Sequence, residues 1–334
     1  MNPLLSIIVP VYNVEKQIER CAVSLFSQTL KDIEYVFVND GTPDNSMIVL
    51  NAVIRRYPEI QGNVVIVNHE RNKGLSAARL TGIKRSSGHY IAHCDSDDWV
   101  EPNMYELMLD AAEKENADIV CSDIFFDSCT SIFEDKYATN IFTVNKLDYL
   151  SQMTLGGKFS ALWNKLIKRT LYIDNDIYPV ESISMWEDMV VTFRLIYHSN
   201  KTVIIHQPLY HYVFNNDSIS SRYSKNHIIQ QINCSQVIEN FFLDKGKEES
   251  EKYYIPVQNL KFIAKSNYLT NKNTRDINLW KRISPESNKH IWKYKELSFF
   301  RRFIFWLAII GFTKTSVKIM DGYIFYNLLN FFRK

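Results

Sequence analysis

Three carboxylates fall within four residues at Asp95-Ser96-Asp97-Asp98, and a second acidic pair stands at Glu187-Asp188. Hard oxygen ligands such as these suit Mg²⁺ or Mn²⁺, and Mg²⁺ is commonly held by one or two carboxylates while substrate phosphates complete its shell. The run Tyr90-Ile91-Ala92 before the first cluster spells a buried strand, and Trp99-Val100-Glu101-Pro102 after it reads as the opening of a helix. If the segment between stays extended, Asp95 and Asp97 share a face and Asp98 looks the other way. A metal–diphosphate site is one expectation; the other is a solvated turn in which Asp98 caps the next helix. Glu187-Asp188 opens the helical pattern Met189 to Tyr197. At a helix N-terminus either acid can take a proton from a hydroxyl nucleophile, or do no more than complement the helix dipole.

The surrounding elements must bring these groups together. Leu4-Leu5-Ser6-Ile7-Ile8-Val9, closed by Pro10, is the β-branched run of a strand buried on both faces. Between Glu15 and Gln28, the residues Ile18, Cys21, Ala22, Leu25 and Phe26 recur at helical spacing. Ile33 to Val38 is a second strand, and Asn39-Asp40-Gly41-Thr42-Pro43-Asp44 supplies turn and cap chemistry before a helix to about Tyr57. Val64 to Val67, Leu75 to Arg85 and Tyr90 to Ala92 then read strand, helix, strand. This alternation predicts an α/β fold, a mostly parallel sheet with helices on both faces, which binds ligands beyond the carboxyl ends of its strands. Asn13, Asp40, Asn72 and Asp95 all lie at that edge.

Several functions are disfavoured. Pro10-Val11-Tyr12-Asn13 stands where a dinucleotide-binding domain would carry G-x-G-x-x-G, and no G-x-x-x-x-G-K-[ST] loop occurs among the ten glycines. A diphosphate would therefore need neutralising by a metal. The formal charge is +2, from 39 basic and 37 acidic residues, so nucleic acid is not favoured. Five scattered cysteines without paired spacing point to free thiols in a reducing compartment, and the N-terminus enters a strand with no basic-then-apolar leader. A cytoplasmic location is expected.

Ser6 to Asn13, Val38 to Asp44, Asn72-Lys73-Gly74-Leu75-Ser76-Ala77-Ala78-Arg79 and Asp95 to Asp98 follow one another in that order, with Leu162 to Arg169 and Trp186-Glu187-Asp188-Met189 further on. Together they resemble the ordered motifs of the family 2 glycosyltransferases of the GT-A fold, inverting enzymes of the bacterial cell-surface polysaccharide type. The resemblance covers residues 1–221 and marks them as a nucleotide-sugar-binding catalytic domain. It implies a metal-dependent transfer of sugar from a nucleotide-sugar, expected to be a UDP-sugar, to a hydroxyl of a glycan or lipid-linked acceptor. By the same resemblance Asp40 bonds the base, Asn39 stands where many relatives have an aspartate, and Pro10, Tyr12, Asn13, Asn72, Arg79, Asp95 and Ser96 surround the donor. Asp97, with Asp95, is the implied Mn²⁺ or Mg²⁺ ligand, and Asp188 the implied base. Arg79 holds the donor or is a surface cation; His211, in Tyr210-His211-Tyr212 with Ser218-Ile219-Ser220, meets the diphosphate or is structural. Trp163 is expected to pack on a helix whose Lys165 and Lys168 approach phosphates or are solvated, and Trp186 is open as an acceptor contact. A nucleotidyltransferase on a related fold, or an inactive GT-A scaffold, is the alternative.

Residues 222–334 change character to helices without strands. Lys289 to Lys334 holds nine Lys or Arg against two acids, beside the aromatic run Phe303-Ile304-Phe305-Trp306. Such runs are too short to span a bilayer, which needs about 20 apolar residues. They suit a helix lying on an anionic membrane, here the cytoplasmic face, or one that closes a core or a homodimer interface.

Overall fold

The computed structural model describes residues 2–128, 131–132, 141–154, 159–214 and 224–331. In chain order the elements are β1 (Leu5–Val11), α1 (Ile18–Phe26), β2 (Ile33–Asn39), α2 (Ser46–Arg56), β3 (Val64–Asn68), α3 (Leu75–Arg85), β4 (Tyr90–His93), β5 (Trp99–Val100), α4 (Met104–Glu115) and β6 (Ile119–Ser128). They continue with β7 (Ser131–Ile132), β8 (Ile141–Thr143), α5 (Lys146–Met153), β9 (Lys165–Lys168), α6 (Arg169–Asp174), α7 (Glu187–His198) and β10 (Thr202–Val213). Helices follow: α8 (Lys225–Asp244), α9 (Lys247–Lys252), α10 (Tyr254–Thr270), α11 (Ile277–Arg282), α12 (Phe299–Ile309) and α13 (Thr313–Phe331).

The strands form one sheet in the order β3-β2-β1-β4-β9-β6-β10-β5. Its first four strands are mutually parallel, each β1 residue from Leu5 to Val11 facing Ile33 to Asn39 in register. All seven residues of β1 are buried, as a central strand covered on both faces requires. Gly82 of α3 has no room for a side chain: a Cβ there would run into Ile8 Cγ2, so the glycine lets the helix lie flat on β1. Strand β9 enters antiparallel between β4 and β6, and β6 resumes parallel pairing with β10.

Two expectations are corrected here. Trp99-Val100 is a short strand paired with Tyr210 and His211, and the helix begins only at Met104. Lys165 to Lys168 lies in a strand, where Leu166 and Ile167 fill the core and a helix would not reach both neighbours.

The chain divides into two compact units, Met1–Tyr149 with Gly156–Arg222, and Leu150–Leu155 with Tyr223–Lys334. The first holds the sheet and a core running from Leu5 and Ile7 through Phe37, Met104 and Tyr210. The second is helical, centred on Phe262, Trp280, Tyr294 and Phe305. Within it Lys265 is sealed from solvent, donates to the carbonyls of Ile283 and Ser284, and is pushed down to about 7 by burial.

Candidate active site

A cavity of about 840 Å³ opens at the carboxyl ends of the first four strands. Strand β1 delivers Pro10, Tyr12 and Asn13, and Asn13 turns the chain with φ of 56°. Strand β2 delivers Asp40, and the loop before α3 delivers Asn72 and Gly74. Beyond β4 come Asp95, Ser96, Asp97 and Asp98; the start of α7 supplies Trp186, Glu187 and Asp188. These residues, apart in sequence, line one space.

Asp40 is buried and accepts three hydrogen bonds, from Lys73 N at 2.9 Å, Gly74 N at 2.8 Å and His69 Nδ1 at 2.7 Å. Its partners lie 29 to 34 positions away, so it is no local Asx-turn but the anchor of the Asn72 loop. Gly41 completes the anchor: at φ of 65°, a Cβ would come within 2.7 Å of Arg71 C and 2.8 Å of Asn72 N. Asn39 is not among the cavity-lining residues. Its amide oxygen accepts from Thr42 N and its nitrogen donates to Asn68, both at 2.9 Å, so it locks the ends of β2 and β3.

The acidic stretch after β4 is a turn, not an extended segment, closed by Asp98 N donating to Asp95 O at 3.1 Å. Asp98 caps no helix. It is buried, accepting from Tyr210 Oη at 2.7 Å and Val213 N at 2.8 Å. Burial first, and then Asp97 and Asp95 beside it, push its pKa well up. Tyr210 Oη also accepts from Asp95 N at 3.2 Å, tying the turn to β10. Asp97 is half-buried, faces the cavity, and receives Arg20 Nη2 on its carbonyl at 3.3 Å.

Arg79 is 1 % exposed, which removes the surface-cation expectation. Its guanidinium spans Asp95 Oδ1 at 2.7 Å and Glu187 Oε1 at 3.1 Å, joining the turn after β4 to the start of α7. Burial opposes its charge, but Asp95 and Glu187 together raise its pKa. Trp186, at φ of 66°, precedes α7 and directs Glu187 and Asp188 into the cavity from the helix N-terminus. Burial, then the neighbouring Asp188, pushes Glu187 up to about 8 despite Arg79. Asp188 is likewise raised by burial, with Arg79, Met189 N and Lys165 pulling it back. A carboxyl whose pKa is higher folded than unfolded binds more protons when folded. The stability Glu187 contributes is therefore fully present below 4.5 and is lost as pH climbs towards about 8. The Glu187→Gln protein is expected to show a shallower fall of melting temperature across that window, which differential scanning fluorimetry in a pH series will read.

Among the described residues, no three His, Cys, Asp or Glu side chains converge into a self-contained metal cage. That donor set suits a cation held mainly by phosphate and water with one or two carboxylates from the protein, and Asp97 with Asp95 are the pair that would hold it.

The sequence profile of glycosyl transferase family 2 matches residues 6–175, half of the chain, from β1 to the end of α6. The chain belongs to this family. The putative glycosyltransferase EpsH of Bacillus subtilis is 29% identical over 262 residues, covering 76% of this chain and 75% of its own length. The uncharacterised glycosyltransferase EpsJ of the same organism is 34% identical over 224 residues, 66% of this chain and 64% of its own. Residues 1–349 of S. aureus TarS, crystallised in complex with UDP-GlcNAc, superpose with a TM-score of 0.70 over 97% of this chain and 91% of that one, at 18% identity. At that identity the likeness establishes the fold, a GT-A α/β sheet with a helical C-terminal region. This family 2 glycosyltransferase also packs its second layer in ways its motifs do not announce. His211 is sandwiched between Trp99 and Phe125, with ring centroids 3.4 and 4.3 Å away, and bonds Glu101 at 2.7 Å, so it is structural. Trp163 is buried and stacks on Tyr210 at 4.5 Å, with one edge on the cavity. Lys168 pairs with Asp118 at 2.8 Å, and Lys165 is sealed below the site with Nζ on Asn164 Oδ1 at 2.9 Å and on the Ala161 carbonyl. Neither is solvated on a helix. Ser218 to Ser220 lie outside the described residues. His69, which holds Asp40, carries no sequence signal, and Tyr210, although it stands in the Tyr210-His211-Tyr212 segment, gives no sign in sequence that its partner is Asp98.

Proposed function

We propose that this glycosyltransferase moves a sugar, with inversion and with a divalent cation, from a UDP-sugar to a hydroxyl of a glycan or lipid-linked acceptor in cell-surface polysaccharide biosynthesis. Residues 1–221 perform the chemistry and 222–334 attach it to its place of work, the cytoplasmic face of the membrane. The observation that carries the proposal is one cavity with Asp95 and Asp97 at one wall, Glu187 and Asp188 at another, and Arg79 clamped between. UDP, as in the TarS complex with UDP-GlcNAc, is the nucleotide this arrangement is assigned.

Bound Mn²⁺ or Mg²⁺ supplies a Lewis acid for the departing diphosphate. Asp97 and Asp95 would hold it, Asp95 having its Oδ1 engaged by Arg79. Asp40 uses three of about four lone-pair sites to order the Asn72 loop, leaving one edge for an N–H of the base. Pro10, Tyr12, Asn13 and Ser96 wall the nucleoside. Asp188 takes the proton of the acceptor hydroxyl as the new bond forms, and no covalent enzyme intermediate is required. Trp186 and Trp163 offer ring faces and edges at the acceptor side.

Incubation with UDP-GlcNAc and Mn²⁺ is expected to release UDP slowly in the absence of acceptor, and EDTA to stop it. Donor and Mn²⁺ together should raise the melting temperature, because a ligand that binds only the folded state stabilises it. Release of pyrophosphate from UTP and N-acetylglucosamine 1-phosphate, with no UDP released from UDP-GlcNAc, would identify a nucleotidyltransferase.

A further inference from the structure

Helix α12 has two apolar faces where a surface helix needs one. Ile304, Phe305 and Ala308 are buried in the helical unit. Phe299, Phe300 and Phe303 are nonetheless 69, 44 and 37% exposed. Trp292, 43% exposed, stands 5.8 Å from Phe299 and 6.2 Å from Trp306, whose ring lies 5.9 Å from Phe303. The rings therefore form one continuous platform, not scattered surface aromatics, and a patch of this kind marks an interaction site. Arg302 fixes it by donating from Nη1 to the Trp292 carbonyl at 3.1 Å. Ile310 and Phe312, both exposed, prolong it past the end of the helix.

The charge around the platform selects its partner. Lys289, Lys293, Lys295 and Arg301 are exposed, and among the described residues none of them makes an ion pair. The two acids of this region are committed inward: Asp321 accepts both guanidinium nitrogens of Arg275, at 2.7 and 3.2 Å, and Glu296 accepts from Asn259 at 3.1 Å. The segment that carries the aromatic face thus has a net positive charge exposed to solvent. A second copy docking by the same face would set cation against cation, since a two-fold contact brings each patch onto itself. No described helix is long and apolar enough to cross a membrane.

We propose that the α12 platform with Trp292 inserts into the headgroup layer of an anionic bilayer, the cations pairing with lipid phosphates while the rings enter the acyl boundary. The inference rests on the membrane attachment proposed above for residues 222–334 and names the surface that makes it; it does not depend on how the sugar-transfer site works.

The full chain should be sedimented with phosphatidylcholine vesicles containing roughly a third phosphatidylglycerol, and with phosphatidylcholine alone. Binding is expected only to the anionic vesicles and is expected to weaken with salt, as screening shortens the reach of the cations. The triple variant Phe299→Ser, Phe300→Ser, Phe303→Ser should remain folded, with some loss of melting temperature because Phe300 and Phe303 are more than half covered, and keep UDP release yet partition at least about tenfold more weakly. The separate variant Arg301→Glu should lose anionic selectivity without any change at the rings. Wild-type protein that stays in the supernatant, or a triple variant that sediments like wild type, overturns the proposal. So does a dimer in sedimentation velocity that the same three substitutions abolish, which would give the face to a second copy.

Discussion

Substituting Asp188 by asparagine is expected to lower kcat by roughly 10²–10⁴-fold while the donor KM stays near wild type. Asparagine keeps the shape and the hydrogen bond to Met189 N but cannot accept a proton, so binding survives and the proton transfer does not. Because burial raises the Asp188 pKa, the acid limb of the wild-type pH–rate profile should stand above the usual aspartate range. The companion Glu187→Gln should retain far more of kcat, since Glu187 turns an oxygen to Arg79 instead of lying open to an incoming alcohol. Steady-state kinetics across pH decides this: an Asp188→Asn enzyme within about tenfold of wild type would move the base elsewhere.

The largest effect on stability belongs to Arg79. Replacing it with methionine preserves most of the buried volume and strands Asp95 and Glu187 without their shared cation. Breaking a buried pair from one side typically costs about 3–5 kcal/mol; Arg79 is buried but its charged partner Asp95 is a quarter exposed, so the loss should fall at or below the low end of that range. Urea unfolding at pH 7 should show that loss. The double variant Arg79→Met, Glu187→Gln should match Arg79→Met at pH 7, because a Glu187 raised to about 8 even beside Arg79 is already largely protonated there and only Asp95 is left a stranded charge. Arg79→Lys, a single point charge lacking the planar fork, should fall between wild type and Arg79→Met. Equal stability for wild type and Arg79→Met would mean that the guanidinium bridges nothing of consequence.

The parallel half of the sheet was legible because buried-on-both-faces strands write themselves as unbroken apolar runs, and Leu75–Arg85 appears as a helix to the residue. The cavity edge was legible for the same reason: strand ends mark it. What escaped depends on contacts across long separations. Nothing near Asp98 says that its partner is a tyrosine 112 positions on, or that the turn, instead of extending, folds back on Asp95. Strand β9 hid because two of its four residues are lysines, and a buried lysine such as Lys165 runs against the ordinary preference for water. Asn39 looked like a ligand contact through its position alone; its amide was already spent on Thr42 and Asn68. The C-terminal aromatics were visible as composition, but only coordinates separate Ile304 and Phe305, which face inward, from Phe299 and Phe303, which do not.

The cations that temper Asp188 reside on α3 and β9, within the sheet and its covering helix, whereas Ser184, Met185, Ser160 and Ala161, which rim the same cavity, come from connecting loops. Under the proposed mechanism, changes on this rim alter which alcohol fits and, because burial by the same rim is the main cause of the raised Asp188 pKa and Ala161 holds Lys165, they alter its proton affinity as well. Acceptor choice and acid–base strength are thus coupled through the rim, so chimaeras that swap it between relatives should shift the acid limb of the pH profile together with the preferred acceptor.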